Sequence, residues 1–588
     1  PYRTIGRGIL ALAPGKTLYI RGGTYFERPN IATSGTPEQP ITIQSYPGEM
    51  AVIDSGPTTF RSKGNSDWEL VDAAKGEYRS VAAAPTGTPY GYVDGIAGYD
   101  NGRVGLVPYV DAAEFRSASE TYVDASTPFY CGPGLFRDSA TGRLHIRLQK
   151  TADVRATEAR HGQVFATDTP DPRQYSILVS QASTTLTIRG SNLVVRNLCV
   201  HQATRAISLP STVSNVLIDN VEAWLGDTCI DSAGVGSHHI SITRCKAYGD
   251  VPNWIFWTDA KEAPAPADRM RQTSIAFGKG AHDIEISYNH VRGGHDLLGV
   301  DDDEDNFSIH HNVLENCHDD AIELEGTTDI GRIDFAYNYI VNAFVGVSPG
   351  QDSPRTTGPI LIHHNVFADL RNPPINRVPG IVSWNGGGRF GFEYMMKQHS
   401  GNTFYYHNTM VQLGHSGLGI NITPERPADT YCMNNIMVMV NGRVNGSYEL
   451  AAGQRVDANL YWKVNTVDTA TLTAGYNTIA QLYAATGLEQ FGIGSTSRRG
   501  TDPQFAGFTL DVINSSAAFW EITAASEERP IAAFLLGSGS PAIGAAVAIP
   551  SHPVFGVLPG ASGSGDLGAI PFGTSELVFG GFPFNQVR

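Results

Sequence analysis

Six segments in the middle of the chain, IEISYN (284–289), FSIHHN (307–312), IDFAYN (333–338), ILIHHN (360–365), TFYYHN (403–408) and TYCMNN (430–435), share one skeleton of alternating apolar residues ending in Asn. The Asn residues follow one another at 23, 26, 27, 43 and 27 residues. Upstream, NLVVRN to Asn197, NVLIDN to Asn220 and HISITRC to Cys245 extend the series. Repeats of this length mean a solenoid. Each unit reads as a short alternating strand, a turn with Asn, and a second short apolar strand, with no helical period. Such a unit cannot bury its apolar row alone and must stack on its copies, while the turn Asn hydrogen-bonds to the coils above and below. The expectation is an all-β parallel β-helix with Asn289, Asn312, Asn338 and Asn365 in a vertical ladder. The two long steps are ordinary coils carrying insertions, which in solenoids gather on the binding face.

Counting forward from each ladder Asn exposes an acidic column. Asp227, Asp296 and Asp319 fall seven residues on, and Asp231, Asp301, Asp303, Glu323 and Glu325 fall further along the same coils. Ile230, Val300, Ile322 and Leu324 form an inward row, so Asp231, Asp301, Asp303, Glu323 and Glu325 are expected to point outward. Counting from Cys245 puts Trp254 and Phe256 on the same face. Parallel strands lie ~4.8 Å apart, so Asp301 and Glu323 on successive coils are expected to hold carboxyls about 5 to 6 Å apart. That separation suits a glycosidase pair, drawn from Asp301 or Asp303 and Glu323 or Glu325, one member protonated because crowded carboxylates cannot all ionise. Asp296, Asp319 and Asp320 would orient or modulate the pair. A sugar ring stacking on Trp254 or Phe256 completes the picture. The competing use of clustered hard oxygen ligands is a Ca²⁺ site, the one ion this reading admits. DDDED at 301–305 lacks the Gly and spacing of an EF-hand.

Gly at 64 and Pro at 34 of 588 residues fit a turn-rich β protein. A net charge of −16 argues against a nucleic-acid backbone as partner. No apolar run approaches the ~18 residues of a membrane span. The six cysteines have no metal-ligand spacing and read as buried thiols. The abrupt start at Pro1 reads as a mature secreted or periplasmic form. Residues 1–57 read as first coils and cap, 58–180 as an inserted β-rich module, 181–465 as the regular helix with its groove, and 466–588 as closing coils and cap. Oligomeric state is not legible.

Residues 252–277 and 371–400 interrupt coils on either side of the acids and mix aromatics with basic groups. Trp257, Arg377, Trp384 and Lys397 are candidates there for sugar stacking and hydroxyl or carboxylate binding. His295 and His318 each precede an Asp of the seven-residue column and are placed to support it or relay a proton. The pairs His310–His311 and His363–His364 are assigned to turn packing.

LAPGKTLYIRGGTY near the start, NVLIDNV and IHHNVLENC in the coils, and GSGSPAIGAA to GDLGAIPF at the close resemble the pectate-lyase-like superfamily of right-handed parallel β-helices. The resemblance implies a polysaccharide hydrolase, lyase or epimerase, or a tailspike binding glycan without cleaving it. NCHDDAIELEG, with Asp319 and Asp320, is similar to the paired-Asp segment of polygalacturonase-type hydrolases. Glu323 and Glu325 resemble the Ca²⁺-binding glutamates of lyases in that superfamily. Where those lyases carry a Lys base, GTTDIGRIDF offers Arg332, which places a glycoside hydrolase acting on a polysaccharide or oligosaccharide ahead of a Ca²⁺-dependent uronate lyase.

Overall fold

The computed structural model describes residues 2–84, 90–96, 102–119, 127–149, 169–224, 228–249, 251, 273–317, 319–324, 328–341, 343, 345–349, 358–369, 394–396, 402–412, 417–422, 430–439, 442–448, 454–465, 471–473, 475–494, 496–507, 531–561 and 565–574. Each regular coil supplies three strands. The strand before the Asn turn stacks in a first row, as in His282–Ser287 on Asp305–His310 on Ile333–Ala336. The strand after it stacks in a second row, as in His290–Arg292 on Val313–Glu315 on Tyr339–Val341. Among the described residues these two rows join into a 22-stranded sheet, and a third row forms an 11-stranded sheet. Among the described residues the strands of successive coils pair in parallel, so the chain is a parallel β-helix as its repeat implies.

The Asn turn explains why the repeat holds. Tyr288, His311, Tyr337, His364 and His407, each just before a ladder Asn, take left-handed backbone with φ of 57, 57, 55, 54 and 52°. That single residue turns the chain and points the following Asn inward. Asn312 is typical: its N–H and Nδ2 donate to Asn338 Oδ1 at 3.0 and 2.9 Å, and Nδ2 also donates to Ile286 O at 2.9 Å. The ladder runs from Asn289 through Asn435, continues to Asn459, and ends on the carboxylate of Glu489. Asn197 and Asn220 do not belong to it. They sit one residue earlier, at the left-handed position (φ 55 and 54°), and bond to each other at 2.7 Å. Leu198 and Val221 occupy the inward place on those coils.

The interior is a continuous apolar column. Ile207, Ile230, Ile275, Leu298, Ile322 and Val347 stack in register down the third sheet, all fully buried. Each such side chain contributes roughly 1.5–3 kcal/mol, available only because a neighbour covers it on both sides. Short helices close the ends: Ile5–Ile9, N-capped by Thr4, buries Ile5 and Ile9 against the first coils, and Ile479–Thr486 buries Ile479 and Leu482 against the last. All six cysteines are buried thiols, none in a disulfide.

Strands between Trp68 and Val179 form a separate seven-stranded, mostly antiparallel sheet with its own core. It packs on the outer face of the second row, where Tyr92 and Leu178 meet Trp224 and Tyr248, and the Arg103 guanidinium lies 3.2 Å from the Trp224 ring centroid. The described C-terminal residues cover outer faces of the later coils as well as the end. Ile549, Leu558 and Ala561 pack on Leu361, Phe404, Tyr406 and Tyr431 of the first row. Tyr406 Oη donates to Pro559 O at 2.6 Å. The stretches 252–277 and 371–400 are not wholly insertion: Thr273–Phe277 and Tyr394–Met396 are strands of the third sheet.

Candidate functional site

The third sheet presents two polar columns on its outer face. One runs through Thr184, Arg205, Thr228 and Thr273 to Asp296 and Asp320, which stand two residues before the paired Leu298 and Ile322. The other runs through Ser208, Asp231, Ala276, Gly299, Glu323 and Ser348. The acids concentrate where the coils bearing Asp296 and Asp320 meet. Asp320 N–H donates to Asp296 Oδ1 at 3.1 Å, and Asp319 N–H to His295 O at 2.8 Å. His295 Nε2 lies 3.4 Å from Asp319 Oδ2. One ligand atom from each of His295, Asp296 and Asp319 lies within 4.8 Å of the other two. His295, Asp296, Asp319 and Asp320 are 1, 5, 5 and 2% exposed, so these charges interact with little water between them.

The expected pairing of Asp301 with Glu323 is corrected by the register. Glu323 stands opposite Gly299, and Val300 N–H donates to Glu323 O, so Asp301 lies two residues beyond, past the end of its strand. The cause is one additional residue between Asn312 and Ile322 relative to the preceding coil, which shifts the count from the ladder. Asp303 does not share the outward strand column either. It sits in the following turn at φ 56°, exposed and ion-paired with Lys279 at 2.9 Å. The Lys279 hydrogen bond, then Thr328, holds its carboxyl below the ordinary carboxylate value. Asp231 does face outward, and its Oδ2 accepts from Arg205 Nε at 2.9 Å and from Ser208 Oγ at 3.3 Å. Burial raises its pKa, opposed by Arg205 and Ser208. Glu325, Asp227, His318, Trp254, Phe256, Trp257, Arg377, Trp384 and Lys397 lie outside the described residues.

Two residues of interest escaped the sequence reading. Glu304 stands within the acidic run 301–305, from which no role was read for it, yet it is fully buried. Its Oε2 accepts from Asp301 N–H at 2.7 Å, and Oε1 has no hydrogen-bond partner among the described residues. Burial pushes its carboxyl up to about 9, with Asp301 and Asp302 adding to the rise. Arg205, in ATRAIS, was legible only by aligning that strand on TCIDS.

No protein-family model matches this sequence, and no curated protein matches it. Among solved structures, the complex of XylC with xylose is similar at 13% identity and a TM-score of 0.44, over 75% of this chain and 73% of that one. Pectate lyase Pel9A is similar at 10% identity and a TM-score of 0.36, over 97% and 90%. A glycoside hydrolase is similar at 11% identity and a TM-score of 0.37, over 68% and 86%. The architecture stands on the coil-to-coil registers above and not on these likenesses.

Proposed function

We propose that the protein is a secreted or periplasmic glycoside hydrolase acting on a polysaccharide or oligosaccharide, with Asp296 and Asp319 as its reacting carboxylates. The observation that carries this reading is their approach from successive coils to within 4.8 Å, with an imidazole at the same distance, on a hydroxyl-lined outer face. Closely set carboxyls, ~5–5.5 Å apart, belong to retaining enzymes, because no water fits between them. Asp296 takes the nucleophile's role: the Asp320 N–H bond favours its ionised form and fixes its orientation. Asp319 protonates the leaving oxygen, and His295, 3.4 Å away, is placed to return a proton to it between turnovers. Low solvent exposure strengthens each of these interactions.

The test is product analysis over a polysaccharide panel with Asp296→Asn and Asp319→Asn. New reducing ends are expected from the wild type, and either amide should lower the rate by ~10²–10⁴ with melting temperature little changed. Full activity in both variants would overturn the assignment.

The donor set favours a second reading. One imidazole nitrogen and two carboxylate oxygens suit a first-row divalent metal such as Zn²⁺ or Mn²⁺, whereas Ca²⁺ takes six to eight oxygen ligands. Under that reading His295, Asp296 and Asp319 would hold the ion, which would neutralise a uronate carboxylate during lyase chemistry. Products with the ultraviolet absorbance of an unsaturated uronate, lost on EDTA treatment, would decide for it.

A further inference from the structure

The column that ends in Asp296 and Asp320 changes character along the solenoid. Toward the C-terminal coils it becomes apolar at once, since Asp320 pairs with the buried Val345. Toward the N-terminal coils it stays polar through Thr273 and Thr228, both half-buried, and reaches Arg205, which is exposed. Three coil steps separate Arg205 from Asp296, roughly 14 Å at ~4.8 Å per step. Arg205 is the cation among the described members of this column. It is also anchored: Nε is held by Asp231 Oδ2 at 2.9 Å, and the Asp231 side chain is 11% exposed and accepts from Ser208 Oγ. The Nη1 and Nη2 groups take part in no hydrogen bond or ion pair among the described residues, and half of the side chain is exposed. A guanidinium fixed at one edge and open at the other is preorganised for bidentate binding of a planar or tetrahedral oxyanion.

We propose that Arg205 is a specificity-determining residue that reads a negatively charged substituent, a carboxylate or a sulfate ester, on a glycan lying along this column toward the N-terminal coils. The inference rests on the reading of the Asp296–Asp319 face as a glycan site and adds its substrate class and direction. An acidic protein with carboxylates at the reacting end repels an anionic polymer, so a placed cation several coils away both offsets that repulsion and sets the register of the chain. The threonine hydroxyls between them serve sugar hydroxyls of any glycan; the guanidinium alone discriminates by charge.

The test is calorimetric titration of the intact protein with three hexasaccharides: an oligogalacturonate, a chondroitin sulfate fragment and xylohexaose. The wild type should bind at least one anionic probe more tightly than xylohexaose, and which one separates carboxylate from sulfate. Arg205→Gln should weaken that probe about tenfold or more, leave xylohexaose unchanged, and flatten the salt dependence. Because Arg205→Gln leaves Asp231 buried without its cation, the double variant Arg205→Gln/Asp231→Asn is included and should show the same loss. Equal binding by wild type and Arg205→Gln, a preference for xylohexaose, or no binding of either anionic probe would overturn the proposal. Wild-type hydrolysis of a neutral polymer that persists in Arg205→Gln removes this inference and leaves the hydrolase reading. Charge-selective binding without cleavage of any polymer does the reverse.

Discussion

Replacing Glu304 by Gln should make the protein more stable at neutral pH and leave it nearly unchanged in mild acid. The carboxyl is fully buried, and burial raises it from an ordinary 4.5 to about 9. A raised value means that the folded chain keeps a proton which the unfolded chain releases. The associated stability is therefore complete below pH 4.5 and drains away as pH climbs toward 9. At pH 7 the interval is about 2.5 units, and at ~1.4 kcal/mol per unit the loss is ~3 kcal/mol. Gln cannot ionise, and its amide oxygen can still accept from Asp301 N–H, the bond that Glu304 Oε2 makes at 2.7 Å. Melting curves of both proteins from pH 4.5 to 9 provide the assay. The wild-type midpoint should fall with pH relative to the variant's, opening a gap of a few degrees by pH 7 to 8. A gap independent of pH, or a variant less stable throughout, would show that Glu304 does not carry an isolated proton inside the helix.

Three further outcomes follow from the same structure. Asn338→Ala should cost ~3–9 kcal/mol, because Asn312 N–H and Nδ2 lose their acceptor and Ile309 O loses its donor, all buried, at ~1–3 kcal/mol each. Asn220→Ala, in the outer stack, should cost well under half as much in the same denaturation experiment, and equal costs would refute the separation of the two stacks. His364 and His407 beneath the C-terminal segment are lowered, mainly by burial and by neighbouring histidines, to about 2 and about 4. Depressed values give stability that is present above the ordinary 6.5 and lost as pH falls through them, so limited proteolysis should cut within 547–561 faster at pH 4 than at pH 7; equal protection would count against it. Glu489, raised by burial to about 7, has the opposite sign, so the stability linked to its proton is present below the ordinary 4.5 and lost as pH rises through 7.

The ladder was readable because one side chain alone answers its demand: an inward group that accepts and donates to the coils above and below. Its limits were misread for an equally physical reason. Asn is also favoured at the left-handed turn position, so Asn197 and Asn220 imitated a rung one place away, while Asn459, in QRVDAN (454–459), lacks the first apolar residue of the skeleton and escaped. The site was legible in part. Asp296, Asp319 and His295 stood out by their count from the ladder, but a count does not say where a strand stops. The strand closes at Gly299, so the conspicuous acids at 301–303 fall beyond it, and the extra residue after Asn312 sets Asp320, not Asp319, level with Asp296. Register between coils is a property of pairs of strands, and a single strand's alternation carries none of it.

The amide column also has a sense of direction, set by its two ends. Each backbone N–H on it gives to the side-chain oxygen of the next rung, starting from Cys245 N and finishing on Glu489, whose carboxylate receives Asn459 N and Nδ2 and Tyr461 Oη without handing anything on. Such a wire needs one pure giver at its head and one pure taker at its foot, and every rung between is interchangeable. The protein's length is thus written at its terminators and not in its middle. Copying the unit from Tyr339 to Asn365 in tandem should lengthen the molecule by one turn without altering either end, a form of growth closed to any fold whose core must be re-solved when a residue is added.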